Sequence, residues 1–355
     1  MMAREELQRR LRRGQPIVDA DLSGFDFAGC RITGAVFHRV RLVGARLAGH
    51  DLSDISFSHC DFTNADIAGS RLHATIFTEC RMPALRFATE TIERTTFARC
   101  DLRASRWDEQ TMAVGVWAEC DLRGASFRGA RFNRVVAAKC RWDGADLGAT
   151  AFDQSTFCDV DFRTIRVDGL RADTTVMMNA NLAGQDLAGA TLRRCTLTGA
   201  DLTDTDLSGA DLTQTNCLGA RVVRTRLRGA AAAHAVFLDA EIIESDFADA
   251  ALEGAIFENA GVCASRFEGA QLAKSVWARS RHERVSFRAA DLRFADFSHA
   301  RLTSVDLDGA RLDLCRLHDV AFSDVEFGRA NRRDAIGTDR ALLAAEQNVL
   351  NAGVM

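Results

Sequence analysis

The sequence predicts an all-β solenoid, and two interleaved registers carry that prediction. Stepping by five from Ile17 to Phe327 meets 63 positions without an insertion, and 58 of them are Leu, Phe, Ile, Val, Met or Trp. The exceptions are Ala137, Ala172, Cys217, Ala232 and His282. Two residues before each of these centres lies a second register. From Ala20 to Val325, 53 of 62 residues there are Ala, Cys, Ser, Thr, Val or Gly. A period of five matches neither the 3.6 of a helix nor the 2.0 of a flat strand. It means that the chain turns a corner every five residues and aims one large and one small side chain inward at each.

The count is clearest from Gly199 to Thr213, which reads in fives as Ala-Asp-Leu-Thr-Asp, Thr-Asp-Leu-Ser-Gly, Ala-Asp-Leu-Thr. This pattern resembles that of pentapeptide-repeat proteins, whose motif is roughly Ala-Asp/Asn-Leu-X-X with Leu at the centre. The resemblance covers residues 17–327. It implies a right-handed quadrilateral β-helix with one pentapeptide per side and four per coil. Residues 20 apart then stack at roughly 4.8 Å, and about 16 coils make a rod of roughly 75 Å.

Taken in order, residues 1–16 are expected to be an N-terminal capping helix, 17–327 the β-helix, and 328–355 a linker and C-terminal helix. Residues 3–13 place Leu7 and Leu11 on one helical face, with Gly14 at the end and Pro16 beyond it. An open solenoid end needs such a plug. Five Arg against two Glu in this segment support a second reading, a basic anchor for an acidic partner. Residues 83–117 are the least regular: Leu85, Glu90 and Gln110 stand at small inward positions, where a buried Glu or Gln would need partners. A bend or widened coil is expected there. Looser packing is also expected at Ile165–Thr175 and at Gly229–Ala235, where the centres shrink to Ala172 and Ala232. Past Phe327 the count fails at Arg332. Thr338 or Asp339 can cap a last helix, with Leu342, Ala345 and Val349 at helical spacing. That helix lids the final coil or pairs with its copy in a homodimer, as relatives in the family do.

The net charge is −4, with 47% apolar residues and two prolines, which suits a chain with ample core. Eight of eleven cysteines (Cys30, Cys60, Cys80, Cys100, Cys120, Cys140, Cys195, Cys315) fall on the small inward register, where a thiol acts as a small hydrophobe. They read as reduced core residues of a cytoplasmic protein. The N-terminus has no apolar signal core, and no run approaches 18 apolar residues, so no membrane is expected. Two Lys against 43 Arg hint at a GC-rich bacterial coding sequence.

No catalytic, cofactor or metal site is expected. The thiols from Cys60 to Cys140 stack in a row, whereas a tetrahedral metal site wants ligands converging on one point. The carboxylates mostly precede centres, where the family's Asp bonds backbone in the next corner. Their columns alternate in sign, as in Asp21, Arg41, Asp61, Arg81, Asp101, and form surface ion-pair rungs of little individual worth. No nucleophile elbow, phosphate loop or zinc spacing occurs.

Two surfaces stand out. On one side of the expected prism the residue before or after the centre is repeatedly apolar: Val36, Ile76, Val116, Val136, Val176, Met178, Leu218, Val236, Leu238, Ile256 and Val276. β-Branched residues favour a ladder-forming side; a contiguous exposed strip also marks a docking surface. The second surface is an acidic patch: Asp201, Asp204, Asp206, Asp211, Asp239, Glu241, Glu244, Asp246 and Asp249. Residues 201–258 hold 11 acids and four Arg, net −7, close to the linear charge of DNA.

Two functions follow. The preferred one is a non-catalytic protein–protein interaction scaffold or adaptor with no direct nucleic-acid contact. Leu11 to Gly24 is similar to pentapeptide proteins encoded among bacterial type VI secretion components, which implies a secretion accessory. The alternative is DNA mimicry toward a topoisomerase (gyrase), as in quinolone-resistance members. Against it, residues 17–327 hold 44 acids and 36 bases, where roughly 40 net negative charges would match 75 Å of DNA.

Overall fold

In this computed structural model, which describes residues 2–352, the chain divides into two compact units, Met1–Ala180 and Asn181–Met355. In each, short parallel strands and single-residue bridges join residues 20 apart.

The first unit begins with α1 (Arg4–Arg12). Glu5 and Glu6 in its first turn and Arg9, Arg10 and Arg12 in its last complement the helix dipole. Leu7 is fully buried, and the helix packs on the strand that holds the first centre, Ile17. Arg4 reaches the carbonyls of Ala28 at 2.7 Å and Asp26 at 2.5 Å, which fastens the helix to the coil. One side of the coils then pairs Ile17 with Phe37, Phe57, Phe77, Phe97, Trp117, Ala137 and Phe157 in succession. The next side aligns Leu72, Ile92, Met112, Phe132, Phe152 and Ala172. Because the register is a whole coil, like rings fall on like rings. Phe37, Phe57, Phe77 and Phe97 stack with centroids 5.0–5.2 Å apart.

Corners explain the period. Each pentapeptide places the residue two after its centre in the left-handed region, for example Gly24 at φ 64° and Arg39 at φ 51°. The next amide closes the turn by donating to the centre's carbonyl, as Phe25 does to Leu22 at 3.1 Å. The aspartate before the centre completes it: Asp61 accepts from the Thr63 amide at 2.9 Å and Asp201 from Thr203 at 2.9 Å. From residue 14 to 324 only Thr89 and Thr164 leave the left-handed pattern.

Those two exceptions mark the irregularities of the first unit. At Thr89 the chain bulges so that Thr89, not Glu90, turns inward. Its amide and hydroxyl donate to Gln110 Oε1 at 3.2 and 3.0 Å. Glu90 swings out to a two-pronged pair with Arg71. The distortion expected over 83–117 is thus one bulge, made because a carboxylate cannot enter the core unpaired. The second falls just before the stretch anticipated at 165–175: Phe162–Thr164 form a short 3-10 turn, while Arg171–Asp173 pair regularly with Ala151–Asp153.

The second unit builds a ladder of its own. Its strands align Val222, Ile242, Val262, His282, Leu302 and Phe322. The alanine-rich stretch around Ala232 keeps its register, with Ala230, Ala232 and Ala235 fully buried. Bridges continue past Phe327 to Asn331 and Ile336, so part of the segment expected as a linker is still coil. Then α2 (Arg340–Ala352) follows, its first turn capped by Asp339, whose carboxylate accepts from the Ala341 and Leu342 amides. This helix leaves the late centre Phe322 46% exposed, and Ile336, in the outward column of Arg316, 48% exposed. No described helix is long and apolar enough to cross a membrane.

Candidate functional site

The apolar strip divides with the units. In the first, Val36, Ile76, Val136 and Met178 are exposed and Val116 and Val176 half-buried. Ser56, Thr96 and Thr156 interrupt them on other strands of the same ladder. Val36, Ile76, Val116 and Val136 lie on strands of the ladder itself, where β-branched residues are favoured by packing alone, while Val176 makes only a single bridge to Thr156. In the second unit, Leu218, Val236, Leu238, Ile256 and Val276 are all half-buried. Here Val236, Ile256 and Val276 make only single bridges, while the strands lie on the side that carries Arg221–Val223 and Glu241–Ile243. Strand preference does not account for them. Beyond Val276 the same column turns to Asp296 and Arg316, which ends the apolar run.

The acidic patch is largely neutralised. Arg224 pairs with Asp204 at 2.6 Å, Arg226 with Asp206 at 2.9 Å, Arg193 with Asp211 at 3.6 Å and Arg221 with Glu241 at 3.8 Å. Arg266 meets Asp246 at 2.7 Å and Arg228 meets Asp249 at 2.8 Å. The arginines lower the Asp204 carboxyl below its ordinary range. Asp201, Asp239 and Glu244 stand outside these pairs. The arginines that interrupt the acidic window in the sequence therefore face its carboxylates one coil away.

The thiol row faces inward and serves the backbone. Cys60, Cys80, Cys100, Cys120 and Cys140 each lie 3.3–3.6 Å from two carbonyls, one on the preceding coil. Thr75, Thr95 and Thr225 hydroxyls make the same inter-coil bond at 2.7–3.1 Å. Cys, Ser and Thr thus share one register because each supplies a small donor. Burial pushes the Cys80 thiol up and holds Cys217 and Cys315 at about 12, so they stay neutral.

One cluster escaped the sequence reading. His299, His318 and Glu346 bring ligand atoms within 4.8 Å of one another on the last coils and α2. His318 is 4% exposed. The period itself held the signal, since His299 and Asp319 are 20 apart and His318 precedes that column. Glu346 lay beyond the repeat and could not be placed by counting.

The family model for pentapeptide repeats matches residues 18–49, 41–78, 176–214, 223–259, 265–303, 283–319 and 295–331. No curated protein matches the chain. Among solved structures, a trypsin-treated variant of QnrB1, a plasmid-mediated fluoroquinolone resistance protein, is 18% identical over 56% of this chain and 87% of its own, with a TM-score of 0.28. HetL, involved in heterocyst differentiation regulation in Nostoc sp. strain PCC 7120, is 17% identical over 96% of this chain and 98% of its own, with a TM-score of 0.16. The A-module of the Azotobacter vinelandii mannuronan C-5 epimerase AlgE4 is 11% identical over 94% and 95%, with a TM-score of 0.31. Superpositions this loose say nothing about a shared role.

Proposed function

Because the chain belongs to the pentapeptide-repeat family, we propose that it is a non-catalytic interaction scaffold that holds protein partners against the apolar side of its coils. The observation that carries this reading is the run Leu218, Val236, Leu238, Ile256 and Val276 in the second unit. It is solvent-facing in part, and no strand explains its β-branched residues. Eleven free thiols suit a reducing bacterial cytoplasm, and a secretion accessory is one setting for such an adaptor.

The triple variant Val236→Asp, Ile256→Asp, Val276→Asp tests the surface without threatening the fold, because Asp296 continues the same column. Affinity capture from the native cell is expected to lose the wild-type partners at least tenfold while the variant's melting curve stays close to wild type. An unchanged partner set from a folded variant would show that the strip only packs. Topoisomerase subunits among the captured proteins, kept by the variant, would favour DNA mimicry instead, against the arginine pairing of the acidic patch.

The same reading includes a second copy of the chain at the C-terminal end. Phe322 is 46% exposed, Leu342 48% and Val349 72%, and the last strand, Ala321–Glu326, lacks a following coil. Light scattering on the full chain is expected to report a dimer that Phe322→Asp reduces to monomer. A monomeric wild type at micromolar concentration would remove this part.

A further inference from the structure

We propose that His299, His318 and Glu346 form a binding site for a divalent transition metal of the zinc class, which staples α2 to the wall of the last coils. Each ligand comes with a reason to be where it is. His299 stands at a left-handed corner, φ 62°, which throws its ring off the coil toward α2. His318 is the residue before the next corner of that column, and its ring meets the His299 ring edge-on at 5.2 Å. Glu346 lies on the turn of α2 that rests on the wall, where Leu343 and Glu346 are half-buried while the flanking residues are exposed.

The three ligand atoms lie within 4.8 Å of one another, so small side-chain rotations bring them onto one ion. His318 Nε2 lies 3.2 Å from one Glu346 oxygen, and His299 Nε2 lies 3.6 Å from the other. Tetrahedral zinc with bonds of about 2.0–2.1 Å needs ligand atoms roughly 3.3 Å apart. Two imidazoles and a carboxylate suit zinc, nickel or copper rather than magnesium or calcium. The fourth position is left to water or a partner's side chain.

The surroundings supply an outer shell. His299 Nδ1 lies 3.2 Å from Asp319 Oδ2, the carboxylate–imidazole arrangement that orients a ligating histidine. Asp319 is fixed in turn, because its amide donates to Thr338 Oγ1 at 3.1 Å. Arg279 is the cation that lines the same groove. One feature must move: the Asp339 amide donates to His318 Nδ1 at 3.2 Å. A metal on Nε2 requires the proton on Nδ1, so this amide turns away on binding. That motion gives the site a signature of its own at the start of α2.

The test uses the full chain, free of any histidine tag and stripped with a chelator, titrated calorimetrically with zinc chloride at pH 7.5. One ion per chain is expected, with a dissociation constant below about 10 μM and a raised melting temperature. Glu346→Gln keeps the shape and is expected to weaken binding at least tenfold, as is His299→Ala. Protons compete for the imidazoles, so binding also weakens as pH falls. The Asp339 amide resonance is expected to shift on loading, and alkylating Cys140, Cys158 and Cys263 beforehand is expected to change nothing. No saturable uptake at 100 μM zinc overturns the site. So does uptake that both variants retain, or that alkylation abolishes.

Discussion

Trp277→Ala is expected to cost the second unit about 3–5 kcal/mol, read as a fall in the urea midpoint at unchanged slope. The indole is fully buried and stacks on Phe257 at 4.0 Å and Phe297 at 5.7 Å, with Phe267 and Phe287 edge-on. Its Nε1 donates to Ser275 Oγ at 2.8 Å, while that hydroxyl donates to the Leu272 carbonyl at 2.7 Å, so truncation costs one buried hydrogen bond. The coil is clamped to its neighbours by backbone bonds on every side, which prevents collapse around the hole. Lys274→Ala, three residues earlier, removes an exposed pair with Glu253 and is expected to stay within about 0.5 kcal/mol. Equal effects from the two variants would mean that the ring column does not hold the coils together.

That contrast shows what the sequence could reveal. The centre register could be read over its whole length because each large residue answers to one constraint, the inside of a coil. The side that forms strands could not, because the same five-residue corner accepts either a strand or a single bridge. Strands form on the sides of Phe37 and of Leu72 in the first unit, and on that of Val222 in the second. Glu90 announced a disturbance, yet only coordinates could show Thr89 replacing it inside. The apolar strip was visible residue by residue, while its two different explanations were not. The pairing of Arg224 and Arg226 with Asp204 and Asp206 follows directly from the 20-residue spacing. The His299–His318–Glu346 cluster needed the position of α2, which no period sets.

His282, the one polar side chain among the expected centres, should make the second unit sensitive to acid in a way that His282→Leu abolishes. The ring is 2% exposed between Val262 and Leu302. Ser280 spends its only proton on the Trp277 carbonyl, so at 2.8 Å it accepts from His282 Nε2–H. Nδ1 is then a bare acceptor without a partner. Burial lowers the pKa from the ordinary 6.5 to about 3. The unfolded chain therefore takes up a proton below about pH 6.5 that the folded chain refuses until about pH 3, and stability drains away across that window as pH falls. Leucine restores the column and removes both the proton uptake and the stranded acceptor, with an expected gain of about 1–2 kcal/mol at pH 7.5. The gap between variant and wild type is expected to widen by about 2–3 kcal/mol on going to pH 4.5, at about 1.4 kcal/mol per unit. Surface carboxylates titrate alike in both proteins and cancel in the difference. A gap that stays constant with pH would mean that the ring finds a proton donor or water in the folded state, and that the coil opens at this one position.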